Sequence, residues 1–285
     1  MRRFAAVLLA ALFLLSLAAC SGGRIEELEG RAASLEAENE SLALKLRERE
    51  QELDEAQREL EETRRELEDL KAQQIDYGFT AAEFMSFIDE VALDAEFSSG
   101  DASPHYVNKW ELPIKYFISG ETPPGGRECV MAIAEKFNRI QGFPGMHEVN
   151  READANFVVN FCTYDAIGDL TGDYSGIDGY ALFDYYNDTY EIFAAHVYIV
   201  NELGERLMRA VLLEEMMHAI GLANDTRRTD SVLTDEYTLI QDFSAIDIAA
   251  MNWLYDGRVA LKSDYVGCLP VVYEMYYGGE LKTEF

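Results

Sequence analysis

A short stretch of the chain carries side chains at the spacing of a metal site. Residues 209–225 read RAVLLEEMMHAIGLAND. Glu214 and His218 are four residues apart, so in a helix their side chains project from one face and can bind one ion. Glu215 lies about 100° around the helix axis from Glu214, which suits a general base acting on a metal-activated water. The spacing predicts a hydrolytic metal site with Glu214 and His218 as ligands and Glu215 as the base.

The end of the same stretch supplies two further candidate ligands, Asn224 and Asp225. Zinc accepts carboxylate as well as imidazole ligands, so zinc is the expected cofactor of a set formed by Glu214, His218 and Asp225. Such an oxygen-rich set selects zinc less strongly than three histidines do. Two anionic ligands would also nearly neutralise the ion, so water would be acidified less and hydrolysis would be slower. With Asn224 as the third ligand, binding would be weaker still.

The helix that carries these residues is predicted to be buried because it is apolar nearly all round. A buried carboxylate without a partner is costly and tends to take up a proton, so something must compensate Glu214 and Glu215. A metal ion, an arginine or a solvent-filled cleft would do so. Two simpler interpretations stay open, in which His218 belongs to the core or to a cleft and Glu214 pairs with a nearby arginine. The candidate arginines are Arg206, Arg209, Arg227 and Arg228.

This stretch resembles the metzincin zinc-protease signature His-Glu-x-x-His-x-x-Gly-x-x-His. Glu215, His218 and Gly221 match the signature, and Gly221 falls where that family turns the chain toward its third ligand. Glu214 replaces the first histidine ligand. Asn224 occupies the third-ligand position, and Asp225 follows it by one residue.

Two later segments extend the resemblance. Residues 231–237, SVLTDEY, are similar to the segment of the methionine turn, with Leu233 near the expected methionine. Residues 242–256, DFSAIDIAAMNWLYD, are similar to the closing helix of matrixin-type proteases. The resemblance implies a zincin-like α+β domain with a small mixed sheet and a helix of the active-site type, and it implies zinc-dependent peptide hydrolysis.

A closer resemblance is to the bacterial family catalogued as domain of unknown function 2927. Residues 213–225, LEEMMHAIGLAND, and residues 254–256, LYD, fit patterns common in its members. Residues 109–120, KWELPIKYFISG, are similar to its opening strand, so the likeness runs over most of 105–260. His218 stands where this family usually has glutamine, which brings the chain nearer to a working protease.

The elements that must position these residues are predicted from periodicity and turn signals. Residues 180–186 and 190–200 are rich in β-branched and aromatic residues around an Asn-Asp pair, which predicts a hairpin. A long helix is predicted over 205–222 and another over 244–255. Helices interspersed with a few strands predict an α+β fold, in one globular domain over 75–285.

The N-terminal residues predict a targeting segment, because two arginines precede an apolar run. Residues 17–20, LAAC, resemble the lipobox of bacterial lipoproteins, which implies removal of a signal peptide at 1–19 and lipidation of Cys20. A short tether over 20–23 would follow. An ordinary secretory signal with a chance cysteine is the alternative. Either way we expect the mature chain outside the cytoplasm, and the lipobox places it at the cell envelope on a bacterial membrane.

Residues 24–73 carry apolar residues at heptad spacing over about seven heptads and are rich in Glu, Arg and Leu. This pattern predicts a coiled-coil stalk and therefore a homodimer. Asn39 at an a position favours two strands in register. A single charged helix is the alternative, because Arg49, Ala56 and Thr63 interrupt the d series.

The formal net charge of −29 repels nucleic acid, so nucleic-acid partners are excluded. Two functions remain. The first is a surface lipoprotein whose outer domain cleaves peptides, with an extended peptide added along the edge of the hairpin at 190–200. The second is a non-catalytic module on the stalk that uses the zincin fold to bind peptides or envelope components. Glu214 and the missing third histidine favour the second function, whereas Glu215 and His218 favour the first.

Overall fold

The computed structural model describes most of the chain in two units. One unit is a long N-terminal helix and the other is a domain from Ile75 to Phe285. The predicted signal peptide and Cys20 lie outside the described residues. The described residues are 22–73, 75–93, 106–171, 176–236 and 239–285.

Helix α1 runs from Gly22 to Gln73 as one continuous helix. It begins two residues before the stalk predicted at 24–73, so Gly22 and Gly23 of the predicted tether are helical. Once a helix is nucleated, each added residue gains a hydrogen bond, so it extends over the glycines. No helix among the described residues is both long and apolar enough to cross a membrane. The heptad leucines are exposed in the single chain, among them Leu35, Leu42, Leu46, Leu53 and Leu60.

A mixed sheet forms the centre of the domain, in the order β2-β1-β3-β5-β4. Strands β2, β1, β3 and β5 are parallel to one another, and β4 is antiparallel to β5. The predicted hairpin is therefore present, but among the described residues its outer strand in the sheet is β4, because β5 is bonded to β3 on its other side. The five strands are β1 Ile114–Gly120, β2 Met146–Glu148, β3 Phe157–Cys162, β4 Gly179–Tyr185 and β5 Ile192–Val200.

The helices of the domain pack against this sheet and against one another, which confirms the α+β class. Helix α5 packs on β4 and β5, α3 packs against α5, and α2 packs against α6 and α7. The buried positions along β5 alternate at Ala195, Val197 and Ile199, as expected for a strand with one face on the core. The helices are α2 Ala81–Ala92, α3 Gly126–Phe137, α4 Tyr164–Thr171, α5 Glu205–Ala219, α6 Ala245–Leu254 and α7 Tyr265–Tyr277.

Two helices that later matter for the site begin with reciprocal capping boxes. The Thr80 hydroxyl accepts a hydrogen bond from the Glu83 amide while the Glu83 carboxylate accepts one from the Thr80 amide, which starts α2. Ser244 and Asp247 make the same pair of bonds at the start of α6. Both helices therefore begin at well-defined residues.

Candidate metal centre

Helix α5 is held at its C-terminal end by two side chains from distant parts of the domain. The indole Nε1 of Trp110 donates to the carbonyl of Ala219 at 3.0 Å, and the Tyr255 hydroxyl donates to the carbonyl of Ile220 at 2.8 Å. These are carbonyls that the end of a helix leaves without an intrahelical partner. Sequence reasoning missed both residues, since neither lies near α5 in the chain.

Gly221 lets the chain reverse immediately after α5. Its φ is +114°, and a Cβ atom built there would lie 2.3 Å from the carbonyl oxygen of Asn108. A larger residue would be strained by the backbone conformation and would also clash with that backbone. The reversal agrees with the role that the metzincin resemblance implied for Gly221, and it returns Asp225 to the helix face that carries His218.

The structure brings together three of the predicted ligands. One ligand atom from each of Glu214, His218 and Asp225 lies within 4.8 Å of the other two. Nε2 of His218 is 3.4 Å from Oδ1 of Asp225. Two ligands of one zinc ion at about 2.1 Å each lie no more than about 4.2 Å apart, so side-chain adjustments of less than about 1 Å bring the three atoms to bonding range. The donor set therefore fits a divalent cation.

A backbone contact determines which nitrogen of His218 faces the cluster. Nδ1 of His218 lies 2.7 Å from the carbonyl oxygen of Leu222. A carbonyl oxygen can only accept, so Nδ1 carries the hydrogen and donates it. In the neutral imidazole the lone pair is then on Nε2, which is directed at Asp225. A ring nitrogen that donates to a carbonyl while the other nitrogen is free is the usual arrangement of a metal-binding histidine.

Asp225 presents a buried oxygen to His218. Apart from Nε2 of His218, 3.4 Å away, no described residue offers a hydrogen bond to Oδ1 of Asp225. A buried carboxylate oxygen beside a histidine lone pair is repelled unless a proton or a cation lies between them. Either a proton on Nε2 of His218 or a bound cation would satisfy this pair of atoms.

The electrostatics of His218 support the same conclusion. Burial lowers the pKa of this histidine, but its hydrogen bond to Asp225 and the negative charges of Glu215, Asp225 and Glu214 outweigh burial and raise the pKa to about 10. His218 is only 6% exposed. Without a metal, the cluster is thus balanced by an imidazolium ion.

Glu215 lies beside this cluster, on the wall of a cleft of about 300 Å³. It packs against Gly179 at the start of β4, where a Cβ atom would lie 2.7 Å from Oε1 of Glu215. Gly179 was not predicted; a glycine that opens a strand is the signal that marks such a close approach. Among the described residues, the wall contains no lysine or arginine. Its acidic members are Asp178, Glu214, Glu215, Asp225, Asp235 and Glu236.

Asn224, the alternative third ligand, is directed away from the cluster. Its Nδ2 donates to the carbonyl of Glu90 at 3.0 Å, and its backbone amide faces the carbonyl of Val91 at 3.3 Å. Both carbonyls belong to the last turn of α2, so Asn224 caps that helix. The candidate ligand from this end of the motif is therefore Asp225.

Two of the arginines that were candidate partners of Glu214 make other interactions. Nε of Arg209 donates to the carbonyl of Gln241 at 2.7 Å. The guanidinium of Arg228 makes two hydrogen bonds to Asp230, which raise the pKa of Arg228 and lower that of Asp230. These two half-buried arginines are thus engaged with other groups.

The segment that resembles the methionine turn lies directly under the site. Leu233 is fully buried, and its carbonyl accepts a hydrogen bond from the amide of Thr226 at 2.7 Å. Val232 and Thr234 also line the cleft. The residue after Asp225 is therefore tied to this buried segment.

Comparison with known proteins identifies the family. The family model described as "Protein of unknown function (DUF2927)" matches residues 81–261, a range that contains α2, the sheet, α5, the three clustered side chains and α6. No match was found among curated proteins. Because the match covers more than half of the 285 residues, the chain belongs to the DUF2927 family.

Proposed function

We propose that the domain is a zincin-like metallopeptidase in which Glu214, His218 and Asp225 hold a zinc ion. The observation that supports this proposal is the convergence of three ligand atoms within 4.8 Å on the wall of a cleft, with Glu215 beside them. The buried Oδ1 of Asp225 and the tautomer of His218 both suit a bound cation. An ion held there polarises a peptide carbonyl and acidifies water.

Glu215 would serve as the general base. It accepts a proton from the attacking water and returns that proton to the leaving amine. Its position next to Gly179 keeps the carboxylate at the cleft wall and leaves the backbone of β4 close by. The oxygen-rich ligand set should slow this reaction relative to a site with three histidines, because it leaves the ion less positive.

The edge of β4 is the proposed peptide-binding surface. Strand β4 ends the sheet, and its first residues, Gly179 and Tyr180, line the same cleft as Glu215. An extended peptide that adds to this edge gains backbone hydrogen bonds and passes the three ligands. We therefore propose strand addition at β4. The sequence had suggested the strand at 190–200, but β5 is bonded on both sides within the sheet.

A non-catalytic peptide-binding module is the second candidate. The close approach of His218 and Asp225 favours it, since an imidazolium and a carboxylate can compensate each other without a metal. In that case the cleft and the edge of β4 would bind a peptide and release it unchanged. The two candidates differ in whether the site binds metal.

Metal analysis of the purified full chain in detergent tests the proposal. After dialysis against zinc, we expect one ion per chain in the wild type and a loss of most of it in His218→Ala. His147→Ala, an exposed histidine on β2, is the matched control and should retain the ion. Glu215→Gln should keep the metal and lose peptide hydrolysis. Absence of metal in the wild type would leave the binding module, and metal without any peptidase activity would mean a metal-stabilised binder.

We also propose that α1 is a dimeric stalk that holds this domain away from a bacterial membrane to which Cys20 is attached. The exposed heptad leucines of α1 support pairing with a second copy of the chain. Sedimentation equilibrium of the full chain in detergent should give a dimer, and replacing Leu46, Leu53 and Leu60 by lysine should give a monomer. Radiolabelled fatty acid should label the wild type and not Cys20→Ser.

A further inference from the structure

The last turn of α2 contacts both residues that flank Asp225. On one side, Asn224 donates from Nδ2 to the carbonyl of Glu90 at 3.0 Å. On the other side, the Thr226 hydroxyl donates to Oε2 of Glu90 at 2.6 Å. Because α2 ends at Ala92, the Glu90 carbonyl is one of those that a helix leaves free at its C-terminus. One residue of α2 therefore binds the chain immediately before and immediately after the proposed ligand.

Thr226 is well suited to transmit this restraint. It is 2% exposed, and its hydroxyl both donates to Glu90 and accepts a hydrogen bond from the amide of Arg228 at 3.2 Å. Its backbone amide donates to Leu233. With its side chain and its backbone both engaged, Thr226 has little freedom to move, and the backbone of Asp225 is restrained with it.

Asp225 needs such a restraint because, apart from the facing Nε2 of His218 at 3.4 Å, no described residue offers its Oδ1 a hydrogen bond, and a metal on His218 would take that contact away. A ligand must be held within about 0.5 Å of its productive position for a metal site to work. The orientation of Asp225 must then be set by its neighbours in the chain and not by partners of this oxygen.

We infer that Glu90 and Thr226 are positioning residues that hold Asp225 ready to bind the metal ion. This inference rests on the proposed metal site and adds to it a supporting interaction from α2, about 130 residues earlier in the chain. Loss of such supporting groups typically weakens metal binding by about 10- to 100-fold. Neither residue touches the proposed ligand atoms, so neither is a catalytic residue.

The test compares zinc dissociation constants of the full chain, measured by competition with a chelating dye. Thr226→Val removes the hydroxyl at nearly constant shape and should weaken zinc binding about tenfold or more, whereas Thr226→Ser should stay within about threefold of the wild type. Glu90→Gln retains an acceptor and should bind more tightly than Glu90→Ala. Thr80→Val is the matched control, because it removes the cap at the other end of α2 and leaves the contacts of Glu90 in place.

Hydrogen exchange of the amides at 223–227 in the metal-free protein is the second readout. Faster exchange in Thr226→Val than in Thr80→Val, together with weaker zinc binding, supports the inference that Glu90 and Thr226 position Asp225. Equal zinc affinity in Thr226→Val and the wild type, or an equal loss in Thr80→Val, overturns it while leaving the metal site standing. If the wild type binds no zinc, the proposed function fails, and the role of Glu90 and Thr226 in metal binding fails with it. Faster exchange at 223–227 in Thr226→Val would then still show that Glu90 and Thr226 order Asp225.

Discussion

Asp247 and Asp225 are carboxylates in the same domain with opposite surroundings. Asp247 is fully buried, and its oxygens accept hydrogen bonds from the Ser231 hydroxyl at 2.5 Å, the Val232 amide at 3.1 Å, and the amide and hydroxyl of Ser244 at 2.8 and 2.9 Å. Burial raises the pKa of Asp247, and these hydrogen bonds oppose that rise. Asp225, in contrast, has a buried oxygen that faces Nε2 of His218 at 3.4 Å and is offered no hydrogen bond by any other described residue.

Asp247 therefore stabilises the fold, whereas Asp225 is the proposed metal ligand. Every donor around Asp247 comes from the chain itself, and together they join the start of α6 to the segment at 231–233. Asp225 is held through its neighbours in the chain, and its Oδ1 faces His218, where the proposed cation would bind. Composition alone would treat as equivalent a carboxylate that stabilises the fold and the proposed metal ligand.

Asp247→Ala should give the largest effect on stability. It leaves the hydroxyls of Ser231 and Ser244 and two backbone amides without their acceptor, and each such buried donor costs about 1–3 kcal/mol, so the free energy of unfolding should fall by about 4 kcal/mol or more. Urea unfolding of the metal-free chain followed by tryptophan fluorescence measures it. Asp247→Asn keeps one carbonyl acceptor and should lose less. A loss below about 1 kcal/mol in Asp247→Ala would contradict the structural role of Asp247.

Asp225→Ala should have its main effect on zinc binding and a smaller effect on stability without metal. It also removes the carboxylate that pairs with the His218 imidazolium, so the metal-free chain should lose some stability, but less than Asp247→Ala, because His218 can release its proton and become neutral. At a zinc concentration of 100 times Kd, the wild type should gain about 2.7 kcal/mol of stability, and Asp225→Ala should gain almost none. Unfolding with and without zinc measures both quantities. Equal stabilisation of the two proteins would show that Asp225 does not bind the ion.

The sequence predicted some of the clustered side chains and left the choice of others open. Glu214 and His218 were predicted because their spacing along a helix is local information. The choice between Asn224 and Asp225 was left open, since it depends on the reversal at Gly221 and on free carbonyls of α2. Those contacts join residues more than 100 positions apart, and no short-range pattern predicts them.

The fold, too, was predicted where the signal is local and missed where it depends on long-range packing. The hairpin at 180–200 was predicted from its β-branched and aromatic residues, but pairing of β5 with β3 decides that β4 is the edge. Helix α7 was not predicted, because Pro270 inside it lacks an amide hydrogen and usually argues against a helix. Tertiary packing, including the hydrogen bond from Tyr276 to the carbonyl of Phe79, outweighs that local preference.

The pH dependence of zinc binding tests the protonation of His218 beside Asp225. In the metal-free protein the pKa of His218 is raised to about 10. Its pairing with the carboxylates therefore contributes fully to the free energy of unfolding below the ordinary pKa of 6.5, and this contribution is lost as the pH rises through about 10. Zinc must displace this proton, so its apparent affinity should rise about tenfold per pH unit between about pH 7 and pH 9. Calorimetry in buffers of different ionisation enthalpy should count one proton released per ion. An affinity that is flat over this range would mean that His218 is already neutral.

The smallest effect should come from Ser231→Ala, which takes one donor from Asp247 and leaves the others in place. The loss should be about 2 kcal/mol, because the lost hydrogen bond costs about 1 kcal/mol and the unpaired amide of Leu233 costs about 1 kcal/mol more, while the carboxylate keeps its bonds from Val232 and Ser244. The same variant should bind zinc with the wild-type dissociation constant, since Ser231 contacts none of the three proposed ligands. A measurable loss of zinc affinity in Ser231→Ala would mean that the two carboxylate sites are energetically coupled through the segment at 231–234.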